Sequence, residues 1–181
     1  MQSAFKLCSA VVGLAILGAC TSLPMPTTCI GTVLTPPAGL VETTDAALLA
    51  SAVGEPAKGA LCVGKVFVAE RPLTVYRVWD AAKSYTLLGR WWSLSMPVGP
   101  RDTYRVDNAI CPEWSPLDKM SFCTLKVGTK VVIGPGQSAQ CNAGLLPPSA
   151  TNQVYIPNDT RNNVVLVENC SNGTDWPEAS R

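Results

Sequence analysis

The sequence has no histidine and carries little charge. Without histidine, Ser-His-Asp and Cys-His catalysis, imidazole metal ligation and imidazole pH switching are all excluded. Charged residues make up 15% of the 181 positions, with 14 Lys and Arg against 13 Asp and Glu. No basic run is present, so the chain has no electrostatic reason to bind nucleic acid. The length and the 47% hydrophobic content favour one folded domain over disorder.

The first twenty residues have the pattern of an export signal. Lys6 precedes an apolar run over 7–17, which is too short for a stable transmembrane anchor and typical of a signal peptide. The run leads into Leu-Gly-Ala-Cys, ending at Cys20, and this motif resembles the bacterial lipobox. The resemblance implies a signal peptide over 1–19, lipidation of Cys20 (palmitate among its acyl chains) and a membrane contact through that lipid alone.

Thr21 follows the lipobox cysteine. The absence of aspartate there, by resemblance to other lipoproteins, implies sorting to the outer membrane, so we expect a lipoprotein of the cell envelope that faces the periplasm or the outside. An ordinary secreted protein is the alternative. Removal of 1–19 takes away Lys6, its single charge, and leaves 13 cations against 13 anions.

Eight cysteines divide into two groups. Cys8 falls in the signal and Cys20 is the lipidation site, which leaves six cysteines in the exported domain. An even number in an exported chain predicts up to three disulfides, whose connectivity stays open. No pair has Cys-x-x-Cys spacing, so we expect structural bridges and no metal site. The six are Cys29, Cys62, Cys111, Cys123, Cys141 and Cys170.

The positions of the proline and glycine residues predict a tether over 20–42, followed by a single globular domain over 43–181. Within the domain, Asp45 can cap a helix over 46–53, and Asp102 can cap a second short helix over 102–110.

Strand-like runs outnumber the helices, since β-branched and aromatic residues recur between turn signals. The predicted fold class is therefore α+β, mostly β, with two short helices and disulfide staples. The predicted strands cover 62–69, 73–79, 86–94 with a break at Gly89, 120–127, 130–134, 152–157 and 162–169.

Arg77 stands inside the apolar strand Val-Tyr-Arg-Val-Trp over 75–79. A buried guanidinium without a partner is costly. Two interpretations remain open: a salt bridge to Glu70 or Asp80, or a fixed clamp for a phosphate, which a guanidinium fork can bind with two hydrogen bonds.

Two adjacent tryptophans form a second unusual feature. Neighbouring side chains on a strand point to opposite faces, so one of Trp91 and Trp92 can enter the core while the other lines a groove. Ser93 would share the face of Trp91. Gln153 lies in the predicted strand Gln-Val-Tyr-Ile. Two interpretations remain open: it is a polar residue at a surface position of an alternating strand, or its amide points into a pocket.

Five motifs over 73–158 carry a family resemblance in their order: YRVW, GRWWS, CPEW, GTKVVIG and NQVYIPN. Together they resemble the NAD-consuming toxin domains, namely tuberculosis-necrotizing-toxin-like NAD glycohydrolases and ADP-ribosyl cyclase toxins. The resemblance implies a small domain with an ADP-ribosyltransferase-like fold.

By that resemblance, Arg77 and Gln153 are the catalytic candidates. Arg77 would hold the NAD phosphates, and Gln153 would take the place of the transferase glutamate beside the ribose. Ser93 would support the nicotinamide ribose, and one tryptophan would stack on nicotinamide. The substrate-binding candidates are Ser93, Trp91, Trp92 and Tyr76.

The implied activity is cleavage of the nicotinamide–ribose bond by an exported NAD glycohydrolase or ADP-ribosyl cyclase, with NAD as substrate and no cofactor. Such cleavage passes through an oxocarbenium-like state and can proceed without histidine or metal. The missing Glu-x-Glu pair disfavours transfer to a protein. The alternatives are a non-catalytic envelope lipoprotein that binds a protein or envelope partner, whose identity stays unknown, and a structural lipoprotein without a groove.

Overall fold

The computed structural model describes residues 28–177. The predicted signal, Cys8 and Cys20 lie outside these residues. Two helices are present, α1 (Ala46–Ala52) and α2 (Arg101–Asp107), with 3-10 turns at Ser84–Leu88 and Thr160–Asn162. In the described range neither helix is long and apolar enough to cross a bilayer. The strands are β1 (Leu40–Thr43), β2 (Lys65–Ala69), β3 (Leu73–Trp79), β4 (Trp91–Trp92), β5 (Lys119–Leu125), β6 (Lys130–Gly136), β7 (Ala139–Cys141), β8 (Gly144–Leu146), β9 (Ser149–Tyr155), β10 (Val167–Glu168) and β11 (Thr174–Asp175).

The strands form two main antiparallel sheets. The first has the order β1-β2-β6-β9-β4, and in the second β5 pairs with β3 on one side and with β10 and β11 on the other. Strands β7 and β8 form a separate hairpin. This mostly β architecture with two helices confirms the predicted fold class.

The two sheets share one hydrophobic core. Phe67, Val131 and Ile133 come from the first sheet, and Val75 and Leu125 come from the second. The sheets also join at one edge, because the main chains of Tyr76 and Ser93 exchange two hydrogen bonds of 2.9 Å each. Strands β3 and β4 are therefore brought side by side at this seam.

The two helices begin differently. Asp45 caps α1, since its Oδ1 accepts from the Leu48 N–H at 3.0 Å, as predicted. That backbone hydrogen bond, followed by the one from Lys130, lowers the pKa of Asp45. Helix α2 begins after Pro100 without a side-chain cap. The predicted capping role of Asp102 is wrong, because this residue already lies in the first turn of the helix.

Two predicted strands are much shorter than expected. Of 86–94, only Trp91–Trp92 is a strand, and Ser84–Leu88 is a 3-10 turn whose Thr86 carbonyl accepts from Arg77 at 2.6 Å. Of 162–169, only Val167–Glu168 is a strand. There the chain first turns at Asn163, whose φ of 56° is in the left-handed region.

All six predicted cysteines form disulfides, in the pairs Cys29–Cys62, Cys111–Cys141 and Cys123–Cys170. The first bridge ties the segment before β1 to the domain, and the Leu34 N–H also donates to Asn152 Oδ1 at 3.1 Å. Residues 40–42, at the end of the predicted tether, belong to β1.

Candidate functional site

A cavity of about 190 Å³ lies where β3, β4 and β9 meet α2 and the chain that follows it. We call it the tryptophan cavity. It takes residues from six separate stretches of the chain, which only the tertiary structure brings together. The lining residues that matter below are Arg77, Trp91, Trp92, Tyr104, Asn108, Trp114 and Gln153.

Arg77 is held by backbone carbonyls. Its Nε donates to the Thr86 carbonyl at 2.6 Å, and its Nη1 donates to the Trp91 carbonyl. The predicted salt bridge is wrong within the described residues, because Asp80 pairs with Lys83 at 3.3 Å instead. The guanidinium is thus fixed in orientation and lacks a carboxylate counterion among residues 28–177.

Burial shifts the pKa values of the two titratable residues that line this cavity, Arg77 and Tyr104. Desolvation lowers the pKa of Arg77 to about 10, so the guanidinium stays protonated at neutral pH. Desolvation also raises the pKa of Tyr104 to about 12, against the smaller opposing effect of the nearby Arg77 charge. At neutral pH the cavity therefore presents a cation and a neutral phenol.

The two tryptophans divide between core and cavity wall. Trp92 is buried at 3% exposure, and its indole N–H donates to the Gly89 carbonyl at 2.7 Å. Trp91 is half-buried and packs edge-on against Tyr155, with ring centroids 5.0 Å apart. The Arg77 Cζ lies 5.9 Å from the Trp92 ring centroid, within cation–π range. Both tryptophans line the cavity, although only Trp92 belongs to the core.

Gln153 is buried in β9, where it faces Gly134 of β6. Its Nε2 donates to the Asn108 main-chain carbonyl at 3.0 Å. This contact ties the middle of the sheet to the end of α2. The carboxamide is therefore held at the cavity, with its Nε2 committed to the protein.

Ser93 and Tyr76 are not among the lining residues. Their main chains pair with each other at the seam, and the Ser93 hydroxyl donates to the Ser95 carbonyl at 2.7 Å. The structure thus brings together Arg77, Gln153 and the two tryptophans, and leaves Ser93 and Tyr76 out.

The lining residues that the sequence did not single out as site candidates include Tyr104, Asn108 and Trp114. The first two are four positions apart at the end of α2, and Asn108 Nδ2 donates to the Tyr104 carbonyl at 2.9 Å. Trp114, at 49% exposure, stands at the cavity edge and packs over Gly59. The helical spacing of the first two and the Cys-Pro-Glu-Trp motif were the available signals.

A cysteine and glutamate group lies near Trp114. Ligand atoms of Cys111, Glu113 and Cys141 lie within 4.8 Å of one another. The two sulfurs are joined in a disulfide, so neither is available as a thiolate ligand. Glu113 instead accepts from the Asn142 N–H at 2.8 Å. These contacts fix the chain that carries Trp114.

No family model, curated protein or solved structure matches this chain. Nothing in the comparisons links it to NAD-consuming toxin domains.

Proposed function

We propose that the tryptophan cavity binds one aromatic ring that carries a hydrogen-bonding group, and that the nicotinamide end of NAD is such a ligand. The observation that supports this is convergence: Arg77, the Trp91–Trp92 pair, Tyr104 and Gln153 come from separate elements and line one cavity. Aromatic walls with a few placed polar groups are the usual composition of small-molecule sites.

The size of the cavity favours a single ring. Its volume is about 190 Å³, whereas an engineered cavity of roughly 150 Å³ is enough to hold benzene. Complete small-molecule sites run from about 300 to 1,000 Å³. A ring would fill the tryptophan cavity, and the remainder of a larger ligand would extend outside past Trp114.

The polar groups suit a neutral carboxamide. Gln153 uses its Nε2 within the protein, which leaves its Oε1 to accept from a ligand N–H. Burial raises the pKa of Tyr104 to about 12, so its hydroxyl remains a donor at neutral pH. Donor and acceptor together match the two ends of a carboxamide.

NAD glycohydrolysis is the second candidate function, and an ADP-ribosyltransferase-like fold would accompany it. Arg77 would orient the substrate, and the Gln153 oxygen would lie near the developing positive charge. No carboxylate lines the tryptophan cavity in the described part of the chain. That observation favours binding without catalysis. If cleavage does occur, the absence of a lining carboxylate among the described residues favours capture of the oxocarbenium-like ribose by water or by the adenine over transfer of ADP-ribose to a protein.

We propose that this binding domain belongs to an outer-membrane lipoprotein of the cell envelope, anchored through Cys20. Metabolic labelling with a palmitate analogue tests the anchor. Labelling of the wild-type protein that disappears in Cys20→Ser supports it, and unlabelled wild-type protein contradicts it.

Calorimetric titration of the full-length protein, disulfides intact, tests ring binding with nicotinamide as the probe. We expect saturable binding that weakens about tenfold or more in Gln153→Met, because a buried hydrogen-bonding group is lost. Gln140→Met is the matched control, since Gln140 is exposed outside the cavity. Absence of binding, or equal weakening in both variants, overturns the proposal.

A fluorescent NAD analogue tests the second candidate with the same protein. Turnover that falls in Gln153→Met and persists in Gln140→Met identifies a glycohydrolase. Nicotinamide binding without turnover across pH 5–9 identifies a binding domain.

A further inference from the structure

A second cavity, of about 240 Å³, lies on the other side of Arg77. We call it the arginine cavity. It is lined among others by Arg77, Gly89, Arg90, Asp159 and Arg161. Because Arg77 lines both cavities, its guanidinium can be approached from two sides.

The arginine cavity carries excess positive charge. Three arginines line it, Arg77, Arg90 and Arg161, and none forms a salt bridge within residues 28–177. Asp159 is the one carboxylate among the described residues that line this cavity, and it is engaged locally: it accepts from the Arg161 N–H at 3.2 Å and from Asn162 Nδ2 at 2.8 Å. Three cations and one anion leave a net charge of about two around the cavity at neutral pH.

Arg77 is the member of this group that most needs an anion. A buried cation without a counterion is costly, even when carbonyls accept its hydrogen bonds. Its Nε and Nη1 donate to carbonyls, and its Nη2 lies against Gly89. A Cβ at Gly89 would lie 2.6 Å from the Arg77 Cζ. The missing side chain therefore leaves that edge of the guanidinium open toward the arginine cavity.

We propose that the arginine cavity binds the phosphate group of a small molecule. Guanidinium groups bind phosphate oxygens through forked, charge-assisted hydrogen bonds. A phosphate near pH 7 carries about −1.5 to −2 charge, which matches the excess around the cavity. The bound group would supply the counterion that Arg77 lacks. A cavity of this size admits one phosphate group and excludes a nucleic-acid duplex. The site needs no ring in the tryptophan cavity.

Calorimetry on the full-length protein, in phosphate-free buffer at near-physiological ionic strength, tests this site. Inorganic phosphate and phenyl phosphate are the probes. We expect saturable binding that weakens about tenfold or more in Arg161→Gln, because a charge-assisted contact is lost. Tighter binding of phenyl phosphate indicates that the natural ligand is a phosphate ester, and preference for inorganic phosphate indicates a site for the free ion.

Lys58→Gln is the matched control. It removes the same charge from an exposed residue outside the arginine cavity. Equal weakening in both variants, or no saturable binding by the wild type, overturns the proposal. Arg161 is exposed, so its replacement should not prevent folding. A phosphate-dependent rise in Tm that Arg161→Gln loses and Lys58→Gln keeps is a second measurement of the site. Unchanged nicotinamide binding in Arg161→Gln separates this test from the ring-binding proposal.

Discussion

The two cavities that flank Arg77 share that arginine and Thr86 and otherwise have different lining residues. The tryptophan cavity is formed by strands and a helix and is lined by aromatic rings and amides. The arginine cavity is formed largely by turns, and its lining includes three arginines and one aspartate, Asp159, among the described residues. The fixed Arg77 cation therefore borders a mainly apolar cavity on one side and a polar cavity on the other. Backbone carbonyls orient the Arg77 guanidinium, and no carboxylate of the described residues neutralises it. Its positive charge is therefore available to both cavities.

Replacement of Arg77 should have the largest effect, because it affects both cavities. Arg77→Met leaves the Thr86 and Trp91 carbonyls without their donor. Each unsatisfied group costs about 1–3 kcal/mol, and removal of a buried charge offsets part of that cost. We expect a net loss of about 1–3 kcal/mol in urea unfolding and weaker binding of both nicotinamide and phosphate.

Arg71→Met is the control for this prediction. Arg71 is exposed and donates to the Ala38 carbonyl at 3.1 Å, so water can replace its contact. For Arg71→Met we expect the free energy of unfolding to change by less than about 0.5 kcal/mol. Equal destabilisation by the two variants would mean that Arg77 is an ordinary surface arginine.

An added methyl group at Gly89 should disturb the arginine cavity more than the tryptophan cavity. The Gly89 backbone, with φ −68° and ψ −174°, suits any residue, so Gly89→Ala acts through space alone. The collision with the Arg77 guanidinium should cost about 1–3 kcal/mol and weaken phosphate binding more than nicotinamide binding. In the double variant with Arg77→Met the collision disappears, so the two unfolding costs should not add. Simple additivity would show that the two residues do not interact.

The smallest expected effect concerns Tyr104, on the side of the tryptophan cavity. Burial raises its pKa from 10.0 to about 12. Between these values the unfolded chain has lost the phenol proton and the folded chain has kept it. The contribution of Tyr104 to the free energy of unfolding therefore falls as pH rises through this range. Arg77 opposes this trend above pH 10, because its folded pKa is lowered to about 10.

NMR of ¹³Cζ-labelled tyrosine checks this prediction. We expect one tyrosine resonance to remain unshifted up to about pH 11, well above the ordinary tyrosine pKa. Tyr104→Phe should remove that resonance. A midpoint near 10 for the resonance that the variant removes would contradict burial of the phenol.

Local patterns predicted part of the fold well. Strand β3 covers 73–79, as expected from its β-branched and aromatic residues, and Asp45 caps α1. Both features depend on interactions between near neighbours. The predicted strand over 86–94 is shortened, because Thr86 directs its carbonyl to Arg77 rather than to a sheet partner. No local pattern could indicate that contact.

The candidate site was likewise predicted only in part from local patterns. Gln153 was notable in the sequence because it is a polar residue in an otherwise apolar strand pattern. The Trp91–Trp92 pair was notable because two large aromatic residues are adjacent. Ser93 was predicted to bind the substrate, but it does not line the tryptophan cavity, and its hydroxyl donates to the Ser95 carbonyl. Tyr104 and Asn108 were overlooked, since their helix looks unremarkable until the fold places its end against β9.

By itself the sequence determined the mostly β character, the even set of six cysteines and the absence of imidazole chemistry, because these follow from composition and short-range pattern. The tertiary structure decided which cysteines pair, that Arg77 binds carbonyls and no carboxylate among the described residues, and that two unlike cavities meet at its guanidinium. The physical reason is distance along the chain. The disulfide partners are 30 to 47 positions apart, and Arg77 reaches carbonyls 9 and 14 positions away. Only the packing of the two sheets selects these contacts.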